Sequence, residues 1–171
     1  YPIEVLPTIK IDVSIILFGW AIMSALIVLI FMSGSQLPEI LAVHFNTEGH
    51  PNMFMHRDEF IVSFISIALG GMIFITSLLY SIKDVPSLRE FEAYNRSLVS
   101  ILQLISICIP LLHMYVYLRV YLHNVLKVLV PTIIDATITL ALILAFAFNV
   151  IKYLREEKSQ GKKMLQKKNA L

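Results

Sequence analysis

The sequence predicts an all-α membrane protein, a bundle of four transmembrane helices with one structured extracytoplasmic loop. Its composition, 57% hydrophobic and only 15% charged with a mean hydropathy of +0.76, leaves too few polar residues to cover a soluble domain of 171 residues. The apolar residues also gather into four runs, each long enough to supply the about 20 helical residues that cross a bilayer. We interpret the runs as helices because the backbone in lipid must bond within its own segment, and the alternation typical of barrel strands is absent from the sequence.

The four predicted spans form a single membrane domain and cover residues 13–32, 60–82, 98–118 and 128–151. The first two carry no charge, the third contains Pro110 and His113, and the fourth contains Asp135. The first run is alternatively a secretory signal, but its twenty apolar residues exceed the about 7–15 of a signal core. We therefore interpret it as a span.

The basic residues predict the orientation of the helices. Four spans leave both termini on one side, and most of the 14 lysines and arginines lie on that side, mainly in the loop between the second and third spans and in the basic tail at residues 152–171. The positive-inside rule then predicts cytoplasmic termini and an outer loop at residues 33–59. The lipid bilayer is the predicted partner. No motif indicates nucleic-acid binding or a cofactor.

Two ionisable residues inside the predicted spans, His113 and Asp135, are the candidates for chemistry. Ionisable residues within a span are costly and usually face a partner in the bundle interior. Each lies roughly 8–10 Å below the outer end of its span at about 1.5 Å per residue, so the two can meet as an intramembrane polar pair. Such a pair either pins the helices by a hydrogen bond, or relays protons, lines a polar cavity or binds a ligand. No GxSxG, HExxH, phosphate-binding glycine loop or CxxC accompanies it, so we expect no enzyme and no catalytic residues.

The outer loop holds three histidines, His44, His50 and His56, at intervals of six residues. Imidazoles with nearby carboxylates suit zinc, but this spacing does not place them on one face of a helix, and we predict no metal site. The stretch NTEGHPN at residues 46–52 is typical of a turn, and ILAVHF before it has strand character. The loop is therefore predicted to be a compact turn or hairpin on the membrane surface.

Ten residues of this loop resemble a bacterial membrane family, domain of unknown function 1648. Its usual motif, LPxxIPxHFNxxGxPDxYGSK, lies between the first two transmembrane helices. The same domain begins SdpI-like proteins, which act in immunity and signalling against a sporulation-delaying toxin. The residues that carry the resemblance, and that it implies form a binding surface, are Leu37, Pro38, His44, Phe45, Asn46, Gly49, Pro51, Asn52, Phe54 and Arg57. Three of them replace the usual motif residue: Asn52 stands for Asp, Phe54 for Tyr and Arg57 for Lys.

The resemblance implies a bacterial inner-membrane protein with a non-enzymatic binding role, either immunity-like protection or envelope sensing. Its partner would be an extracytoplasmic peptide or another membrane protein that contacts the outer loop. Two other functions stay open. One is an accessory subunit of a larger membrane complex, and the other is a small proton-linked transporter or membrane enzyme that uses His113 and Asp135.

Overall fold

The computed structural model describes residues 10–84 and 92–169. Within them the chain is mostly helical with one two-stranded antiparallel sheet, so the predicted all-α class is correct except for this sheet. A short 3₁₀ turn, Gly34–Gln36, follows the first helix. The elements in chain order are α1 (Val13–Ser33), β1 (Ile40–Phe45), β2 (Pro51–His56), α2 (Arg57–Asp84), α3 (Glu92–Asn124) and α4 (Thr132–Asn169).

Among the described residues, four helical segments are long and apolar enough to cross a membrane, which confirms the prediction of four long apolar helices and is compatible with a multi-pass membrane protein. They are Val13–Gln36, Arg57–Ile82, Leu98–Asn124 and Ile133–Lys152. Several bounds differ from those predicted, and the two largest differences lie in the third and fourth spans. The third span continues past residue 118 to Asn124, and the fourth begins at Ile133 rather than at residue 128. The end of the bundle that carries β1, β2 and the connection from α3 to α4 is called the hairpin end below.

The connection between α3 and α4 explains the later start of the fourth span. Lys127 adopts a φ of 56°, in the left-handed region that often ends a helix, and the Val128 N–H donates back to the Leu122 carbonyl at 3.0 Å, which closes the end of α3. Pro131 cannot extend a helix from residues before it, but its carbonyl accepts from the Ile134 N–H at 2.9 Å. The apolar residues 128–131 therefore belong to the connection. The segment expected as a basic tail continues α4 as helix through Asn169.

The first helix begins at a cap that also attaches it to α3. The Asp12 carboxylate accepts from the Ser14 N–H at 3.0 Å, and the Asp12 carbonyl accepts from the Gln103 side-chain amide at 2.7 Å. Two hydrogen bonds from Ser14 lower the pKa of Asp12, the larger effect coming from its hydroxyl and the smaller from its N–H. The start of α1 is therefore held by both local and long-range contacts.

The core forms around α3, against which α1, α2 and α4 all pack. No residue from 133 to 152 in α4 is buried, so α4 flanks a three-helix core. Two buried clusters fill this core. The one nearer the hairpin end includes two residues from the loop and β1, so the hairpin base shares the bundle core; its members are Met23, Leu26, Ile30, Leu37, Leu41, Phe60, Ala68, Met72, Tyr117 and Val120. The other comprises Ile16, Ile75, Leu79, Ile82, Val99 and Leu102.

Helices α1 and α3 pack closely where a glycine of α1 meets a carbonyl of α3 that proline leaves without a helical donor. Pro110 lies within α3 and has no N–H, so the Ser106 carbonyl four residues earlier lacks its helical donor. A Cβ placed on Gly19 would lie 2.5 Å from that carbonyl oxygen. Only glycine fits against this part of α3.

We expect Gly19→Ala to destabilise the protein by about 1–3 kcal/mol, the usual effect of overpacking, because the added methyl collides with backbone. Thermal unfolding in detergent, followed by the fluorescence of Trp20, measures the change. Gly70→Ala is the matched control, since a Cβ at Gly70 meets nothing within 4 Å. Equal melting temperatures for the two variants would contradict this close approach.

Candidate functional site at the hairpin end

The tip of the hairpin is built by three residues of the loop motif. The Asn46 side-chain oxygen accepts from the N–H groups of Glu48 and His50, at 3.0 and 2.8 Å. Gly49 has a φ of 84°, a conformation that side chains rarely adopt, and its N–H donates to the Asn46 carbonyl at 3.0 Å. Pro51 opens β2 opposite Phe45. The predicted turn is therefore a hairpin turn, and these residues shape it.

A buried asparagine at the end of α3 holds the hairpin against the bundle. The Ala42 N–H donates to Asn124 Oδ1 at 2.9 Å, and Asn124 Nδ2 donates to the Ala42 carbonyl at 2.9 Å and to the Val120 carbonyl at 2.8 Å. A side-chain amide offers one acceptor and two donors, so it can satisfy the edge of a strand as a neighbouring strand would. The outer edge of β1 is thus closed by α3 at Ala42.

An ion pair between α3 and α4 lies beneath the hairpin tip. The Arg119 guanidinium bonds one oxygen of the Asp135 carboxylate, and the Tyr115 hydroxyl donates to the other. The Phe45 ring lies 4.7 Å from the guanidinium carbon of Arg119 and packs edge-on to His123, with 4.7 Å between ring centres. A residue of the motif at the hairpin tip is therefore joined to the α3–α4 interface.

The surroundings of this ion pair offset the desolvation cost of two charges within the predicted membrane region. The Arg119 and Asp135 side chains are only 17% and 21% exposed, so each charge is stabilised mainly by the opposite charge of the other. Asp135 also lies in the first turn of α4, where the helix dipole favours a negative charge. The contact of Arg119 with an aromatic face adds about 0.5–2 kcal/mol. The cluster can fasten α4, which has few other attachments, to the core.

The structure does not bring His113 and Asp135 together. His113 Nδ1 lies 2.8 Å from the Ile109 carbonyl of its own helix, and its ring packs 5.1 Å from that of Phe64 on α2. The depth expected for Asp135 assumed that the fourth span begins at residue 128. Because α4 begins at Thr132, Asp135 lies beside Arg119, roughly 9 Å along α3 from His113.

The structure does not bring the three loop histidines together. His44 Nδ1 lies 2.6 Å from Asn52 Oδ1 across the hairpin, and His56 Nε2 lies 3.3 Å from Glu39 Oε1. His50 is exposed. In residues 10–84 and 92–169, no group of three or more histidine, cysteine or acidic side chains is arranged to hold a metal ion.

The remaining motif residues divide between core and surface. Leu37 is buried in the core, and its carbonyl lies 3.4 Å from Arg57 Nη1 at the start of α2. Pro38, Asn52 and Phe54 are exposed. The motif therefore combines residues that shape and anchor the hairpin with residues that face away from the bundle.

Reasoning from sequence missed three residues of this site. The predicted third span ends just before Arg119, and none of Tyr115, Arg119 and Asn124 was among the predicted site residues. The spacing of Tyr115, Arg119 and His123 at intervals of four residues was a usable signal, because it aligns them on one face of a helix. Asn124 offered no such pattern.

No protein-family model matches this chain, and no significant match was found among the curated proteins or the solved structures. The resemblance of the loop to domain of unknown function 1648 stays a prediction from the motif residues.

We expect Asn124→Ala to destabilise the protein by about 1–3 kcal/mol, because it leaves the buried N–H and carbonyl of Ala42 without partners. Thermal unfolding measures the loss, and amide hydrogen exchange should show faster exchange at Ala42. Asn149→Ala is the control, since the partly exposed Asn149 amide donates within its own helix, to the Ala145 carbonyl. An Ala42 amide that stays protected in Asn124→Ala would contradict the proposed anchor.

We expect Asp135→Asn to destabilise the protein more than the double variant Arg119→Gln with Asp135→Asn, because the single change leaves the poorly exposed Arg119 charge unpaired. A double-mutant cycle on unfolding free energies should give a coupling of about 1–3 kcal/mol. Additive effects of the two substitutions would show that the ion pair does not fasten α4.

Proposed function

We propose that this is a multi-pass protein of a bacterial cytoplasmic membrane, with both termini in the cytoplasm and the hairpin outside. The hairpin binds an extracytoplasmic peptide in an immunity-like or envelope-sensing role that involves no catalysis. One observation supports this proposal most directly: Asn124 anchors one edge of the hairpin to the bundle, while the opposite edge carries exposed apolar side chains. A surface held in this way is pre-organised for binding.

The edge of β2 suits an extended peptide. Ala42 directs its N–H and carbonyl to Asn124, and its partner across the ladder is Phe54. In such an antiparallel pair the N–H and carbonyl of both residues point outward, so those of Phe54 point away from β1. The Met53 and Phe54 side chains beside them are 55% and 60% exposed. A peptide strand can add to this edge through backbone bonds and contact these side chains.

The link from the hairpin to α4 favours a sensing role. Phe45 follows directly in β1 after His44 and contacts Arg119, which pairs with Asp135 at the start of α4. Helix α4 has 38 residues and extends about 57 Å at 1.5 Å per residue. A peptide that shifts the hairpin tip would alter the environment of this ion pair, and the rigid helix would carry the change to its far end.

A second candidate, an accessory subunit of a larger membrane complex, is favoured by the exposure of α4. Its span leaves Ile133, Leu144 and Phe148 among the exposed large apolar residues, and a partner helix could cover them. Native mass measurement distinguishes the two roles, because a subunit copurifies with a stoichiometric partner. A proton-linked transporter or enzyme has less support, since His113 and Asp135 have different partners and Arg119 neutralises Asp135.

The proposed orientation predicts which positions are accessible from outside the cell. In a Cys108→Ala background, which removes the single native cysteine, Thr47→Cys at the hairpin tip should react with a membrane-impermeant maleimide in intact cells. Arg155→Cys in α4 should react only after the cells are permeabilised. The opposite pattern would place the hairpin in the cytoplasm and contradict the proposal.

The proposed binding role predicts protection of a susceptible bacterium that expresses this chain against at least one member of a panel of extracellular antimicrobial peptides. Phe54→Ser and His44→Ala should abolish that protection without lowering the amount of protein in the membrane. A photoreactive residue at position 54 should crosslink the peptide, and one at position 148 should not. Protection that survives Phe54→Ser, or a panel with no protective effect, would contradict the role of the β2 edge.

A further inference from the structure

We propose a second binding site, for one phospholipid with an ethanolamine headgroup, in a groove between α1 and α2 at the hairpin end. The groove holds an acyl chain, Arg57 binds the lipid phosphate, and Asp58 binds the ammonium group. This inference rests on membrane insertion of the four spans and is independent of peptide binding by the hairpin.

The groove has a volume of about 570 Å³, within the range of about 300–1,000 Å³ that is typical of small-molecule sites. It forms because α1 and α2 pack mainly on α3 rather than on each other, and because Gly34 and Ser35 contribute little volume where α1 ends. Apolar side chains form most of its walls: Ile30, Phe31, Ile61, Val62 and Ile65.

The groove opens toward the region that lipid would occupy. Phe31 and Val62 line it and are among the most exposed apolar residues of the chain. Ile65 lies eight residues beyond Arg57, so the groove extends roughly 12 Å along α2 from the hairpin end into the predicted hydrocarbon region. Hydrocarbon is the solvent in contact with such an opening, and an acyl chain has the shape and polarity to fill it.

The mouth of the groove carries one positive and one negative group side by side. Arg57 Nε donates to Asp58 Oδ1 at 3.1 Å, and Arg57 Nη1 lies 3.4 Å from the Leu37 carbonyl, so the guanidinium is held in place. A guanidinium binds phosphate with two parallel hydrogen bonds, and a carboxylate attracts an ammonium group. Asp58 is exposed and available to an incoming group.

This pairing selects among lipid headgroups by charge. The phosphate and ammonium of an ethanolamine headgroup match Arg57 and Asp58 respectively. A glycerol headgroup has the phosphate but no cation, so it would bring a second negative charge close to the Asp58 carboxylate with no ammonium group to offset the repulsion. The groove should therefore retain phosphatidylethanolamine in preference to phosphatidylglycerol.

The test is native mass spectrometry of the full chain in detergent with equal amounts of phosphatidylethanolamine and phosphatidylglycerol that carry the same acyl chains. The wild type should retain about threefold more phosphatidylethanolamine, the scale expected of an exposed ion pair. Asp58→Asn should remove the preference, and Arg57→Gln should reduce retention of both lipids. Equal retention of the two lipids by the wild type would overturn the proposal.

A pair of tryptophan substitutions tests the location of the site. Val62→Trp fills the groove and should abolish retention, while Ile67→Trp on the same helix lies outside the groove and should have no effect. The two residues are matched in exposure, at 67% and 66%, so both variants are expected to fold. Equal retention by these variants would overturn the location. Phe54→Ser should retain lipid like the wild type, which separates this site from the proposed peptide site.

Discussion

The hydrogen bonds between the Asn124 side chain and the Ala42 backbone are the contact on which the hairpin end depends. A two-stranded hairpin alone is marginally stable, and one edge of β1 would otherwise expose unpaired backbone groups. Asn124 closes that edge from the end of α3, and Leu37 and Leu41 bury the hairpin base in the core. The hairpin is therefore fixed as part of the bundle, and only its β2 side stays open.

The ion pair of Arg119 and Asp135 extends this arrangement to α4. Helix α4 buries none of residues 133–152, so a polar contact near its start gains importance for its position. Phe45, whose ring lies against the Arg119 guanidinium, connects the same pair to the hairpin tip. One cluster thus joins three elements that are far apart in sequence, and this arrangement is the physical basis for the proposed sensing role.

Much of the fold followed from sequence, and the failures have identifiable causes. Four apolar runs predicted four long helices, because a helix that crosses a bilayer needs about 20 consecutive apolar residues and such runs are visible in the sequence. Turn residues such as Asn46, Gly49 and Pro51 predicted the hairpin because their backbone preferences are local. The start of α4 was placed too early because Val128 to Val130 are apolar, whereas the left-handed Lys127 and the Pro131 ring keep them out of the helix. That error moved Asp135 too deep and suggested His113 as its partner.

The sequence by itself determined the number of long apolar helices, the position of the hairpin and the residues that make its turn, because hydrophobicity, length and turn chemistry act over short stretches of chain. Only the tertiary structure decided which polar groups meet. Three such contacts join residues that are 74 to 87 positions apart in the sequence: Asn124 with Ala42, Phe45 with Arg119, and Gly19 with the Ser106 carbonyl. Their pairing depends on how the helices pack around α3. Local sequence patterns do not predict these contacts, because each contact joins residues that only the packing of the helices brings close together.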